Sequence, residues 1–147
     1  MYHYTESGLD NVYLTNGYVI AQHSEYGETI AIEDADGLHK VIGQLLANAR
    51  RPLTGREIRF LRIELNLSQK KLGSYLGVEE QTVGRWERGE VPAPRSNELI
   101  IRALYLEWIH ERGAIKTLVD RLAELDTRSN MLDLQLEHSG HDWRMAA

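Results

Sequence analysis

Residues 77–89 read GVEEQTVGRWERG and carry carboxylates at Glu79, Glu80 and Glu87, an amide at Gln81 and guanidinium groups at Arg85 and Arg88. Amides and guanidinium groups present paired hydrogen-bonding atoms in one plane, the geometry that matches a purine edge, whereas carboxylates oppose approach to a polyanion. Little else in the chain offers chemistry. There is no cysteine, which removes disulfides, thiol catalysis and thiolate zinc sites and fits a reducing cytoplasm. His138 and His141 have His-x-x-His spacing, but no acidic residue at fixed spacing completes a ligand set. His3, His23, His39 and His110 are scattered, so no metal and no cofactor is expected. Neither a glycine-rich phosphate loop nor a nucleophile elbow is present, and no enzyme is expected.

The net charge of −5 is unevenly spread. Residues 1–49 carry a net −6, residues 50–95 a net +4 and residues 96–147 a net −3. A basic middle between acidic flanks is the electrostatic footprint expected of a local phosphate-binding surface. No run of about 18 apolar residues exists, and MYHYTESGLDN lacks the basic and apolar parts of a signal peptide. These features predict a soluble, unprocessed cytoplasmic chain with no membrane partner.

The elements that would position the polar stretch follow from periodicity. In NVYLTNGYVIAQ, Asn16-Gly17 lies between two runs rich in Val, Ile, Tyr and Leu, which predicts a hairpin; ETIAIE (28–33) reads as a third strand. The next segment has Leu38, Val41, Ile42, Leu45, Leu46 and Ala49 at helical spacing, with Asp34 or Asp36 as N-cap. Residues 1–49 are therefore expected to form a small α+β unit of hairpin and helix, ended by RRPL because Pro52 disfavours helix before it. Thr54 and Glu57 have capping-box spacing and begin a helix with Ile58, Leu61 and Leu65 on one stripe and Arg56, Arg59 and Arg62 on another. That arginine stripe is read as a solvated face or as phosphate contacts. Ser68 caps a second helix, with Leu72, Tyr75 and Leu76 inward, that ends at Gly77. A third helix covers roughly residues 79–88 and stops at Gly89. RSNELIIRALYLEWI reads as a fourth, with Tyr105, Leu104 and Trp108 as packing residues, and AIKTLVDRLAEL as a fifth. The fifth has Ile115, Leu118, Val119, Leu122 and Leu125 on one face, for core cover or a dimer seam. NMLDLQLE alternates as a short strand does, and the last ten residues read as a frayed tail. The fold class is thus mainly α with a small N-terminal β unit. The expected domains are 1–49, the helix-turn-helix at 50–112, and a C-terminal helix, strand and tail at 113–147 with a role in dimerisation.

Gln69 opens the first helix of this pattern and Leu72 faces the core. Gly73 is small where two helices cross closely, and Gly77 supplies the turn. Val78, Val83 and Trp86 then fix the following helix. Gln69, Leu72, Gly77, Val78, Val83, Trp86, Glu87, Gly89 and Pro92 together resemble the run of the phage-repressor-like (XRE) helix-turn-helix family, with Gly73 where alanine is usual. The resemblance implies a five-helix repressor-like domain whose second motif helix lies in the major groove. Carried over by position, it places Glu80, Gln81, Gly84 and Arg85 in the groove, Gln69 on a phosphate, and Lys70, Lys71, Arg88 and Arg95 as electrostatic contributors. Glu79 would complement the helix dipole. Glu80 would either do the same or accept from cytosine N4.

A wider resemblance, in the order of parts, is to MqsA-type antitoxins and related regulators. Their N-terminal unit commonly holds zinc through cysteines, so here the hairpin must be held by packing alone. The expected function is a dimeric, sequence-specific regulator of double-stranded DNA, a repressor at a palindromic operator. The alternative is an antitoxin that neutralises a protein toxin through residues 1–49, whose acidic charge complements a basic partner.

Overall fold

The computed structural model describes residues 1–23, 25–109 and 133–146. The fifth helix expected at AIKTLVDRLAEL lies outside these residues. The chain divides into two compact units, Met1–Ile42 with Met131–Ala147, and Gly43–Asn130.

The first unit contains β1 (Tyr2–His3), β2 (Val12–Leu14), β3 (Tyr18–His23), β4 (Gly27–Ile32), the start of α1 (Ala35–Ala47), β5 (Leu134–Ser139) and β6 (Asp142–Met145). Four strands form one sheet in the order β1-β2-β5-β6, and β3 pairs only with β4 in a separate ribbon. Val12 and Leu14 of β2 stand opposite Leu134 and Leu136 of β5 in parallel register. All four are buried, together with Tyr4, Leu9, Leu38 and Trp143. Alternate residues point to one face of a strand, so the Leu134/Leu136 alternation expected of a half-buried strand is what the core uses.

Two expectations for this unit are corrected. Asn16-Gly17 does not join paired strands. Gly17 has φ +78° and does turn the chain, but β2 spends its hydrogen bonds on β1 and β5, while β3 turns back near Gly27 to pair with β4. Thr15 donates from N and from Oγ1 to the Leu136 carbonyl, Asn16 Oδ1 accepts from His138 N, and the Trp143 indole lies where a Cβ on Gly17 would go. Local turn chemistry is overridden by a partner far along the chain. The last residues are likewise ordered rather than frayed. β6 pairs with β5, and Trp143 Nε1 donates to the carbonyls of Glu33 and Asp34 at 3.0 and 3.1 Å. Asp34, not Asp36, caps α1, its Oδ1 accepting from Gly37 N at 3.1 Å.

The second unit holds the end of α1, then α2 (Gly55–Glu64), α3 (Gln69–Leu76), α4 (Glu80–Glu87) and α5 (Arg95–Trp108). Thr54 and Glu57 form the expected capping box. Ser68 Oγ accepts from Lys71 N, and α3 ends on Gly77 in the left-handed region. Ile58, Leu61, Leu72, Val83, Trp86, Ile101 and Tyr105 are buried. Burial raises the Tyr105 phenol above its ordinary value. Tyr75, expected inward, is 52% exposed, with Lys71 Nζ 5.4 Å from its ring centroid. Trp108, expected to pack, is 59% exposed. It borders an open groove of about 550 Å³ with Leu65, Leu67, Tyr75, Leu104 and Glu107.

Hydrogen bonds from Arg102 tie the segment between α1 and α2 to α5, and an ion pair ties it to α2. Arg102 is fully buried and donates to the carbonyls of Ala49 and Arg51 and to Glu98 Oε1. Desolvation pushes the Glu98 carboxyl up and the Arg102 guanidinium down, and their mutual attraction opposes both shifts. Arg51 makes a two-point pair with buried Glu57 at 2.7 and 2.6 Å.

Candidate nucleic-acid interface

α4 is short, and what aims it is its buried side. Val83, Gly84, Trp86 and Glu87 are buried, whereas Glu80, Gln81, Arg85 and Arg88 are exposed. Apolar residues at i and i+3 fix one face, and the polar residues between them have no choice but to face out. Glu79 stands at the N-cap with no side-chain capping bond. Its carboxylate acts on the helix only through charge, which stabilises by roughly 0.3–1 kcal/mol for an exposed group in the first turn. Glu80 is the first helical residue and is also exposed.

A three-residue lock sets the angle of α4 against α2 and α3. Arg62 Nε donates to Glu87 Oε2 at 2.6 Å and Arg62 Nη2 to Glu87 Oε1 at 3.0 Å. Gln69 Nε2 donates to the same Glu87 Oε1 at 3.1 Å, and Arg62 Nη1 closes on the Leu67 carbonyl at 3.0 Å. The side chains of Arg62 and Glu87 are 12% and 3% exposed. Arg62 therefore belongs to neither reading of the arginine stripe, because it is spent inside the motif, while Arg56 and Arg59 stay on the exposed face. The periodicity of α2 puts Arg62 on the stripe correctly. What it lacks is the position of Glu87, a residue set by the fold of two further helices.

The turn between α3 and α4 is drawn tight by Gly73. A Cβ there would stand 2.6 Å from the Val78 carbonyl, which itself belongs to a residue whose N–H donates to Gly73 O at 2.9 Å. The close neighbour is thus the turn backbone rather than a crossing helix.

The residues expected to meet DNA fall into three settings. Glu80, Gln81 and Arg85 lie exposed on α4, and Lys70 and Lys71 lie exposed in the first turn of α3. Gln69 is partly buried and already holds Glu87 through one amide hydrogen, leaving its other hydrogen and Oε1 for further bonds. Gly84 is buried; it gives room rather than contact, since a Cβ would sit 3.0 Å from Arg88 Nη1 and 3.6 Å from Gln69 Oε1. Arg95 is exposed at the first residue of α5. Arg88 is paired with Glu90, an acid that the motif spacing does not single out.

Residues 58–104 match the helix-turn-helix family model. No curated protein and no solved structure matches the chain. The matched stretch is a helix-turn-helix domain of XRE type, spanning α2 to the middle of α5. A domain of this kind is a DNA-binding module, and at that level the chain reads as a DNA-binding regulator. The comparisons lend nothing to the wider likeness to MqsA-type antitoxins. Among the described residues, no helix is long and apolar enough to cross a membrane, and no three His, Asp or Glu residues group as metal ligands.

Proposed function

We propose that the chain is a sequence-specific regulator that docks α4 in the major groove of double-stranded DNA and represses transcription as a dimer on a palindromic operator. The observation that supports it most is the split of α4 into a locked inner face and an outer row of Glu80, Gln81, Arg85 and Arg88. In this reading Gln81 bonds an adenine edge, Arg85 a guanine edge or a phosphate, and Glu80 a cytosine amino group. Gln69, Lys70, Lys71, Arg88 and Arg95 serve the backbone, which fixes register without reading sequence. One short helix covers only a few base pairs, so a two-fold pair on half-sites about one helical turn apart supplies the remaining specificity.

The test is a footprint on the protein's own promoter, repeated with Gln81→Ala/Arg85→Ala at two salt concentrations. The expected result is a protected symmetric site for the parent protein. The double variant should lose its preference for promoter over random DNA by about 1–3 kcal/mol per lost bidentate contact. A folded double variant that keeps that preference overturns the assignment.

A second reading is favoured by the β3–β4 ribbon. Val19, Ile20 and Tyr26 are 59%, 47% and 79% exposed, beside exposed Glu25, Glu28 and Glu33. An apolar ribbon edged with acids suits a basic protein partner, as the antitoxin alternative requires. Val19→Lys/Tyr26→Lys should abolish toxin neutralisation and leave operator binding intact if that reading holds.

A further inference from the structure

We propose that Glu90 is an internal counter-ion: it occupies Arg88 in the free protein and must release it when a phosphate backbone docks, so that it limits how tightly the helix-turn-helix surface holds DNA. The proposal rests on the DNA-binding reading of α4.

Residues two apart do not face each other on a helix, so the pairing needs a special backbone. Gly89 provides it. With φ +75°, it reverses the chain after α4, its N–H bonding to Trp86 O and that of Glu90 to Arg85 O, both at 3.0 Å. The reversal returns the Glu90 carboxylate alongside the last turn of α4. There Arg88 Nε and Nη2 donate to Glu90 Oε1 and Oε2, each at 3.3 Å. This two-point approach is also the one a guanidinium makes to a phosphate, so the carboxylate occupies the very donors that DNA would use.

The third nitrogen shows where the guanidinium lies. Arg88 Nη1 is close over Gly84, beside the amide of Gln69, and therefore on the seam of α3 and α4 where backbone contacts are assigned. The acid next to Arg88 in sequence, Glu87, is taken by Arg62 and Gln69, which leaves Glu90 as the local carboxylate for this arginine. Arg88 holds the Glu90 carboxyl below its ordinary range, through the hydrogen bonds first and charge second, and Arg85 adds to it through space. Both groups are exposed, with side chains 60% and 54% accessible. An exposed pair is weak enough for a phosphate to displace.

The experiment is a double-mutant cycle of Glu90→Gln and Arg88→Gln, read as affinity for a mixed-sequence duplex of about 30 base pairs at about 50 and 200 mM salt. Glu90→Gln should bind about 3–10-fold tighter at the lower salt, with a log–log salt slope steeper by up to about 0.9. In the Arg88→Gln background the same change should alter affinity less than about twofold, since there is no guanidinium left to free. Equal tightening in both backgrounds overturns the proposal, because Glu90 would then act as a bare negative charge; so does no tightening in either. A carbon-detected titration of the Glu90 carboxyl tests the pair without DNA: its midpoint should rise in Arg88→Gln, and an unmoved midpoint means that the pair does not form. If the folded parent protein binds no duplex at either salt, the DNA-binding reading fails and the counter-ion role fails with it, whatever the titration shows.

Discussion

Glu87 has a double burden, holding Arg62 through both carboxylate oxygens and Gln69 through one of them. Removing it leaves a guanidinium that is 12% exposed without its partner, and breaking such a pair on one side costs more than the pair contributes. Glu87→Ala is expected to destabilise the second unit by about 2–4 kcal/mol, measured by urea unfolding. Arg102→Ala should cost about 3–5 kcal/mol by the same logic, because Glu98 and the carbonyls of Ala49 and Arg51 lose their donor. Arg102→Ala/Glu98→Ala should recover part of that loss, and a double variant no more stable than Arg102→Ala would show that the carbonyls, rather than the charge, decide the cost. At this scale the sequence is half legible. The exposed positions Glu80, Gln81 and Arg85 on α4 follow from the family resemblance, which also nominates Gly84, a buried residue. The partners of Arg62 and Arg88 and the carbonyls held by Arg102 do not, because each is brought into place by a chain reversal or by a distant segment, whereas Glu98 stands one helical turn before Arg102.

Among the elements, the helices are the most readable. Capping signals at Thr54 and Ser68 and stop signals at Gly77 and Gly89 bracket α2, α3 and α4 within a residue or two. Their chemistry is local, so it is written where it acts. Strand pairing is not readable, since Asn16-Gly17 has the chemistry of a hairpin but β2 finds a better partner in β5. Glycine inside a helix also misleads. Propensity alone says that alanine at Gly55 or Gly73 should stabilise by about 1 kcal/mol. The structure predicts the opposite sign. A Cβ on Gly55 would meet the carbonyls of Trp86 and Glu87, the latter at 2.6 Å, and one on Gly73 the carbonyl of Val78. Backbone neighbours cannot swing away as a side chain can, so Gly55→Ala and Gly73→Ala should each lower stability by about 1–3 kcal/mol, seen as a drop in Tm. An unchanged or raised Tm for either would mean that the α4 end or the turn shifts freely.

For the whole molecule, the order of parts and the basic centre of charge can be read from the sequence, while the closure of the first unit depends on residues from both sides of the helix-turn-helix stretch. Leu134→Ala or Leu136→Ala should therefore cost about 2–5 kcal/mol in the stability of the β unit, although both lie far in sequence from the strands they cover. Removing residues 133–147 should leave the unfolding of the second unit measurable by the fluorescence of buried Trp86, with the β unit's protected amides lost to hydrogen exchange. Because two compact units are present, unfolding is expected to take more than one transition.

The bond from Thr15 to Leu136 spans 121 positions, and it has a temporal side. During synthesis the amino-terminal strands are made long before β5, and every helix from α2 to α5 is translated in between. Contacts between distant segments form slowly. A nascent chain thus has its helix-turn-helix segment available before β5 can complete the sheet, and the early strands meanwhile stand open to whatever chaperone or partner reaches them first.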